Sequence, residues 1–247
     1  MRFIKAEDYE RMCWMAASII GGQIINKPDC VLGLATGSTP IGIYANLVKA
    51  CKSGELDFSE VSCFNLDEYI GVARDDVQSY YYYMQEHLFN HVNIAAANTH
   101  IPDGMAADAA AACDDYERRI SAVGGVDMQL LGMGHNGHIG FNEPGTEFTQ
   151  KTSMVTLAQT TIEANKRFFS SPDDVPRQAL TMGIGTIMAA RKVLVAVSGK
   201  DKAAVVKEAF FGPVLPAMPA SILQFHPDVT VVGDEAAFSL LPTAKKL

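Results

Sequence analysis

The 247-residue chain has no long apolar run and no basic cluster. No apolar stretch approaches the ~18 residues that a membrane-spanning helix needs. Runs of Lys and Arg stop at pairs such as Lys245-Lys246, and the formal net charge is −8. Nucleic acids and anionic membranes are therefore poor partners, and any anionic ligand must be held by local features of the fold.

Cysteine is also scarce, and its spacing provides no Cys-x-x-C pair. The five cysteines are odd in number, and several lie in apolar patterns typical of buried free thiols. The first eight residues interleave charged and apolar side chains, unlike the core of a signal peptide. We therefore expect a soluble, cytoplasmic protein with reduced cysteines: Cys13, Cys30, Cys51, Cys63 and Cys113.

No linker rich in Pro, Gly or Ser divides the chain, so residues 1–247 are interpreted as one domain. Short apolar runs alternate with helix-like segments, which predicts an α/β fold with an open, mainly parallel sheet covered by helices. Strands are predicted at residues 30–35, 61–66, 128–131, 179–182, 193–197 and 229–232. Helices are predicted at residues 6–25, 41–51, 79–89, 106–122, 185–190 and 201–211, the last capped by Asp201.

A glycine-rich run at residues 132–144, Gly-Met-Gly-His-Asn-Gly-His-Ile-Gly-Phe-Asn-Glu-Pro, follows one of the predicted strands. Glycine lets a ligand approach the main chain closely. Asn136, His138 and Glu143 add groups that orient, transfer or stabilise protons. We interpret the run as a catalytic loop.

Two other interpretations of this run are weaker. Gly132, Gly134 and Gly137 match the G-x-G-x-x-G dinucleotide fingerprint, and a strand precedes them as that motif requires. The motif also needs a helix after its third glycine, whereas Phe-Asn-Glu-Pro-Gly interrupts any helix here. A metal site formed by His135, His138 and the glutamate lacks H-E-x-x-H or comparable spacing. We therefore expect neither a nucleotide cofactor nor a metal.

A second polar segment, Thr36-Gly37-Ser38-Thr39, joins the first predicted strand to a helix. Pro40 suits the first turn of that helix, where no amide proton is needed. Amide and hydroxyl groups at a helix N-terminus bind anions, and the same Ser and Thr side chains also serve as ordinary helix caps. Both interpretations remain open from this segment alone.

Asp67 and Glu68 end the next predicted strand. In an extended chain they point to opposite faces, so one can enter a crevice while the other is structural. A carboxylate at a buried strand end can have a raised pKa and act as a general base. The alternative is an exposed acidic turn. The tyrosines at residues 80–83 could stack on a sugar, but helix packing is the favoured interpretation.

Arg167 and Lys202 are the basic residues best placed to meet a phosphate. Arg167 lies in a polar segment, and Lys202 lies near the start of a predicted helix. Each residue type is more often a solvated surface charge.

Three motifs together resemble the glucosamine-6-phosphate deaminases, within the glucosamine/galactosamine-6-phosphate isomerase family. The resemblance implies a Rossmann-like α/β fold with helices on both faces of the sheet. It implies a hydrolase of amino-sugar catabolism that converts glucosamine 6-phosphate and water to fructose 6-phosphate and ammonia without metal or cofactor. It extends from residue 1 to about residue 234, and it rests on Gly-Leu-Ala-Thr-Gly-Ser-Thr-Pro at 33–40, Phe-Asn-Leu-Asp-Glu-Tyr at 64–69 and Gly-His-Ile-Gly-Phe-Asn-Glu-Pro at 137–144, with further agreement at 79–81, 165–169 and 179–183.

The resemblance also implies roles for particular residues. Asp67 is similar to the base that moves the C2 proton toward C1, and His138 assists opening of the pyranose ring with Glu143 as its partner. Residues 158–176 correspond to a mobile lid. The phosphate is expected to bind Thr36, Gly37, Ser38, Thr39, Arg167 and Lys202.

Two departures from the family pattern have consequences. Well-known members carry Asp at Asn136; Asn can accept a proton from imidazole but adds no charge that stabilises imidazolium. Members activated by N-acetylglucosamine 6-phosphate carry basic residues where this chain has Ser153 and Val155, with only Lys151 nearby. We expect no such activation, and a monomer or small homo-oligomer.

Two other functions remain as alternatives. A 6-phosphogluconolactonase shares the fold and a related Gly-x-Gly-His turn, although Leu-Asp-Glu-Tyr and Phe-Asn-Glu-Pro favour a deaminase. A sugar-phosphate sensor would not need Asp67, His138 and Glu143 together, and no basic DNA-binding segment is recognisable. The preference between glucosamine and galactosamine 6-phosphates stays open.

Overall fold

The computed structural model describes residues 1–145, 147–165, 169, 171 and 175–242. Its strands are β1 (Arg2–Ala6), β2 (Val31–Leu34), β3 (Ser62–Asn65), β4 (Asp67–Tyr69), β5 (Thr99–His100), β6 (Met128–Leu131), β7 (Ser153–Thr156), β8 (Gln178–Thr181), β9 (Lys192–Val197) and β10 (Val229–Asp234). Its α-helices are α1 (Tyr9–Asn26), α2 (Ser38–Lys52), α3 (Tyr80–His87), α4 (Ala109–Ala122), α5 (Gln159–Asn165), α6 (Ile184–Met188) and α7 (Ala203–Phe211).

Parallel strands form the central sheet in the order β1-β10-β9-β6-β2-β3-β5, with helices around it. β2 pairs with β3 on one side and with β6 on the other, so the chain builds the sheet outward in both directions from the β2–β6 boundary. Ligands bind beyond the carboxyl ends of the strands at such a switch point. The predicted α/β class with a mainly parallel sheet is confirmed.

A smaller antiparallel sheet has the order β4-β8-β7. The strand predicted at residues 61–66 divides at Leu66, a bend after which β4 begins. The Leu66 N–H donates to Leu34, and its carbonyl accepts from the Met182 N–H, so Leu66 joins the two sheets. The strand predicted at residues 179–182 corresponds to β8 and lies outside the parallel sheet, because β4 and β7 occupy its two edges.

The N-terminal segment differs most from the prediction. The helix expected at residues 6–25 begins only at Tyr9, because Asp8 caps it by accepting the Arg11 N–H at 2.7 Å. Residues 2–6 form β1, which pairs with β10 at the edge of the sheet. Most of β1 is exposed, so it lacks the continuous apolar run of a central strand.

The other predicted helices are present within three residues of their expected ends. β5, β7 and α5 were not predicted. The apolar strands of the central sheet pack with α1 and α2 into one large core that includes the fully buried Tyr44 and Phe64. In the described part of the chain, no helix combines the length and apolar character that crossing a membrane requires. All five cysteines are free thiols.

Candidate active site

The polar segments predicted from three strand endings converge at the carboxyl edge of the sheet. Tyr83, on α3, donates from its hydroxyl to the Gly37 carbonyl after β2, at 2.6 Å. A methyl group placed on Gly140, in the loop after β6, would lie 3.5 Å from Asp67 Oδ2. The crevice therefore lies beside the switch point between β2 and β6.

Asp67, the first residue of β4, is a carboxyl group with little access to water. Its side chain accepts no hydrogen bond from any residue that the structure describes, and the residue is 6% exposed. Burial, followed by the neighbouring negative charge of Glu68, raises the pKa of Asp67 to about 8. Such a group can take and return a proton near neutral pH.

Glu68 is also buried but is fully engaged by the backbone. Its Oε1 accepts the N–H groups of Tyr69 and Tyr80, and its Oε2 accepts that of Tyr81, each at 2.9 Å. Burial raises the pKa of Glu68, while these hydrogen bonds oppose the rise. Glu68 thus holds the N-terminus of α3, and only Asp67 is left for the crevice. The alternative of an exposed acidic turn is wrong.

His138 and Glu143 form the second chemical group of the site. The imidazole Nδ1 lies 3.4 Å from Glu143 Oε2, close enough for an ion pair but outside hydrogen-bond geometry. Thr161, on α5, donates its hydroxyl to Glu143 Oε1. Burial raises the pKa of Glu143, but contacts with His138, Thr161 and Asn136 outweigh it, so the pKa is lowered overall. An ionised Glu143 faces Nδ1, so Nε2 is the ring nitrogen available to a substrate.

Contrary to the expectation from the sequence, the Asn136 side chain does not contact the His138 imidazole. Its Nδ2 donates to Glu143 Oε2 at 2.7 Å, and its Oδ1 accepts the backbone N–H of His138 at 3.2 Å. The physical reason is the tight turn from Gly134 to His138, closed by the Gly134 N–H to His138 carbonyl bond at 3.0 Å. The amide therefore orients the glutamate rather than the imidazole.

Glycines shape the loop where side chains approach its backbone. The His138 ring lies over Gly134, where an added Cβ would sit 2.3 Å from it. Gly140 has φ +55°, and an added Cβ would lie 2.9 Å from Thr181 Oγ1. Asn142 anchors the loop further by donating to the carbonyls of Ile139 and Met182. The loop is thus held against β8.

The segment at Thr36–Thr39 has the form of an anion site. α2 begins at Ser38, three residues earlier than predicted, and its N-cap is Gly37 with φ +106°. No side chain caps this helix, so ordinary capping by Ser38 or Thr39 is not observed. The first amides of a helix have no intrahelical partner, and they point toward a ligand. The Tyr80 hydroxyl, which donates to the Tyr69 hydroxyl at 3.2 Å, lies beside the Thr36 side chain at the edge of this segment.

Lys202 contacts the loop after β6 from the turn after β9. Its Nζ donates to the Met133 carbonyl at 2.9 Å and lies 3.3 Å from His135 Nδ1. The predicted cap of the following helix is wrong: Asp201 instead lies 2.6 Å from His135 Nε2, and α7 begins at Ala203 after a 3-10 turn. The turn is fixed by Asp234, which accepts the Gly199 N–H.

Arg167 lies outside the described residues, as does much of the predicted lid at residues 158–176. The described part of that segment contains α5, whose Thr161 contacts Glu143. Among residues 1–145, 147–165, 169, 171 and 175–242, no cluster of three His, Cys, Asp or Glu side chains could hold a metal ion.

Several residues that shape the site were not predicted from the sequence. Tyr80 and Tyr83 were interpreted as packing, yet both hydroxyls reach the segment after β2. Their spacing of three on one helix face is the signal that indicates a shared direction. Thr161, Asp201 and Asp234 carry no motif, and only the tertiary structure brings them to the site.

Fold and site together define an α/β enzyme with an acid–base site at the switch point of its sheet. The chain belongs to the family of glucosamine-6-phosphate isomerases and 6-phosphogluconolactonases, whose model matches residues 9–232. It is 54% identical over 241 residues to the glucosamine-6-phosphate deaminase of Halothermothrix orenii, covering 98% of this chain and 100% of that protein. It is 51% identical over 241 residues to that of Clostridioides difficile, covering 98% and 97%.

Solved structures show the same relationship. A monomeric glucosamine-6-phosphate deaminase superposes with a TM-score of 0.95 at 45% identity, covering 97% of this chain and 100% of that one. A 6-phosphogluconolactonase from Trypanosoma brucei reaches a TM-score of 0.79 at 20% identity, covering 98% of each chain. The second likeness demonstrates the fold alone.

Proposed function

We propose that this protein converts D-glucosamine 6-phosphate and water to D-fructose 6-phosphate and ammonia, in amino-sugar catabolism. The observation that carries the proposal is the buried Asp67, whose pKa is raised to about 8, beside a loop that presents His138 and Glu143. The named deaminases that share half of its residues over nearly the whole chain support the same reaction.

The first step is opening of the pyranose ring. Glu143 faces His138 Nδ1, which holds the proton on Nδ1 and leaves Nε2 to accept one. Nε2 takes the proton of the C1 hydroxyl and returns it to the ring oxygen, which yields the open-chain aldehyde. Asn136 and Thr161 keep the carboxylate aligned through their hydrogen bonds.

The second step is isomerisation at C1 and C2. Ionised Asp67 removes the C2 proton while the aldehyde oxygen at C1 takes a proton from the substrate ammonium group, which gives a neutral enolamine. Asp67 then delivers its proton to C1, which leaves a CH2OH group at C1 and an iminium at C2. Water adds to C2, and ammonia leaves from the resulting carbinolamine, so the C–N bond is broken hydrolytically. The substrate amino group, when protonated, favours the ionised form of Asp67 that the free protein disfavours.

The phosphate anchors the substrate at the N-terminus of α2. The amides at Thr36–Thr39, the Lys202 ammonium and Arg167 are proposed to bind the phosphate; the uncapped start of α2 and the Lys202 contact with the loop after β6 support this. A chain with a net charge of −8 repels dianions at long range, so this local positive group is what makes binding favourable. Residues 158–176 are proposed to close over the bound sugar.

The setting of the activity is also proposed. Five free thiols fit a reducing compartment, so the reaction is assigned to the cytoplasm. By analogy with the monomeric deaminase of 45% identity, the protein is proposed to act as a monomer or small oligomer.

An assay of ammonia release tests the function. Purified protein is expected to release ammonia from glucosamine 6-phosphate, with little hydrolysis of 6-phosphogluconolactone. Asp67→Asn should lose at least ~10³-fold in kcat while retaining fructose 6-phosphate binding. Lactone hydrolysis without ammonia release would identify the lactonase instead, and binding of phosphosugar without turnover of either compound would identify a sensor. Parallel assays with galactosamine 6-phosphate establish the epimer preference.

A further inference from the structure

His135 has no part in the steps above, yet it lies in a chain of polar contacts. Its Nε2 lies 2.6 Å from Asp201 Oδ2, and its Nδ1 lies 3.3 Å from Lys202 Nζ. Lys202 Nζ also donates to the Met133 carbonyl at 2.9 Å. The loops after β6 and β9 are thus tied together around one ammonium group.

The partners of His135 determine which of its nitrogens carries the proton. A carboxylate only accepts hydrogen bonds, so Asp201 requires the proton on Nε2. The hydrogen bond from His135 lowers the pKa of Asp201, which keeps this carboxylate ionised. Nδ1 is then a lone-pair acceptor that faces the Lys202 ammonium.

We propose that His135 and Asp201 are positioning residues that hold the Lys202 ammonium at the phosphate subsite. This inference rests on the proposed function, which assigns the substrate phosphate to Lys202. A lysine side chain is long and flexible, so ordering it costs conformational entropy when the ligand binds. Two protein acceptors, Met133 O and His135 Nδ1, fix the direction of the ammonium beforehand.

The size of the effect follows from exposure. The side chains of His135 and Asp201 are 65% and 61% exposed, so water and salt screen their charges. We therefore expect loss of the His135–Asp201 pair to weaken phosphosugar binding roughly three- to tenfold. This is the range of a partly screened, charge-assisted hydrogen bond. Loss of this pair does not directly affect the reaction steps at Asp67 and His138, so most of the change should appear in KM rather than in kcat.

Steady-state kinetics of His135 variants test the proposal. His135→Leu is expected to raise KM for glucosamine 6-phosphate roughly three- to tenfold, with kcat within about twofold. His135→Asn should restore most of the loss, because its side-chain oxygen can still accept the Lys202 N–H. Asp201→Leu should resemble His135→Leu, because it removes the acceptor that holds the proton on Nε2. The exposed His91, remote in sequence from both loops, gives a matched control in His91→Leu.

A double-mutant cycle decides whether His135 acts through Lys202. In a Lys202→Met background, His135→Leu should have no further effect on KM. An undiminished effect there overturns the proposal, as does a His135→Leu variant with unchanged KM.

Calorimetric binding of fructose 6-phosphate, which needs no turnover, separates this proposal from the proposed function. If the parent protein has no deaminase activity but His135→Leu binds fructose 6-phosphate more weakly than the parent, the proposed function is refuted and the positioning role is retained. Deaminase activity together with fructose 6-phosphate affinity that is indifferent to His135 refutes the positioning role and retains the function.

Discussion

At the scale of the residue, environment divides two adjacent carboxyl groups into different tasks. Glu68 receives three backbone N–H groups, whereas Asp67 receives none from the described residues. Burying Asp67 without hydrogen-bond partners therefore lowers the stability of the folded protein, and the benefit is a carboxyl group whose raised pKa suits catalysis.

That cost predicts how Asp67→Asn changes stability with pH. The folded protein keeps a proton on Asp67 up to pH 8, whereas the unfolded chain releases it near its ordinary pKa of 3.8. Stability contributed by this site therefore falls as pH rises from about 4 to 8. Above pH 8 the cost approaches an upper limit of about 6 kcal/mol.

We expect the Asn variant to melt at a higher temperature than the parent protein at pH 9. Thermal unfolding of both proteins at pH 5 supplies the internal control, because there the folded parent carries a neutral side chain at this position too. A difference between the two proteins that stays constant from pH 5 to pH 9 would contradict the assignment.

A second residue-scale prediction concerns Asn136→Asp. The new carboxylate would lie where the amide now donates to Glu143 Oε2 at 2.7 Å, and the added negative charge would favour protonation within the His138–Glu143 group. We expect the pH–rate profile of kcat/KM to move to higher pH and its maximum to fall. A profile that coincides with that of the parent protein would show that Asn136 is not coupled to ring opening.

At the scale of the element, the glycine-rich loop is a rigid support for the imidazole. Asn142 and Thr181 attach it to β8, while the Gly137 carbonyl accepts the Ala220 N–H at 2.9 Å. The imidazole lies directly on the backbone at Gly134, so glycine is required there by close approach rather than by a positive φ.

Alanine substitutions in this loop have sharply different expected results. Gly134→Ala would place a methyl group 2.3 Å from the His138 ring, so the imidazole must move and kcat should fall roughly 10²-fold. Gly132→Ala is the matched control, because nothing lies within 4 Å of its added methyl group. Circular dichroism of both variants should remain that of the folded protein. Equal activities of the two variants would show that the imidazole position is not critical.

At the scale of the whole molecule, the surface beyond the loop lacks the basic residues of an allosteric anion site. Val155 packs against the small apolar cluster around Tyr69 and Phe141, and Ser153 is uncharged. Lys151 is exposed and is the only basic residue between positions 145 and 155. A dianionic effector therefore has little to bind there.

This surface predicts the kinetic behaviour of the intact protein. Initial rates against glucosamine 6-phosphate should be hyperbolic and unchanged by N-acetylglucosamine 6-phosphate. Light scattering during gel filtration is expected to give the mass of a monomer or small oligomer at the same protein concentration. A sigmoidal curve that the acetylated sugar phosphate converts to a hyperbola would refute the prediction.

The sequence by itself determined the parts of this protein that depend on local pattern. Buried parallel strands require continuous apolar runs, so five of the six predicted strands lie in the central sheet, and helix periodicity located six of the helices. The positions after those runs identified the candidate site residues, because acid–base chemistry needs groups of these types. These candidates are Asp67, His138, Glu143 and the Thr36–Thr39 segment.

Only the tertiary structure decided which neighbours these groups have. The bend at Leu66 moves β4 into a second sheet, which separates Asp67 from Glu68 in function. The amide of Asn136 binds Glu143 rather than the imidazole, and Asp201 binds His135 rather than a helix terminus. Each outcome depends on contacts between segments distant in sequence or on a loop conformation set by such contacts, and local pattern does not encode these.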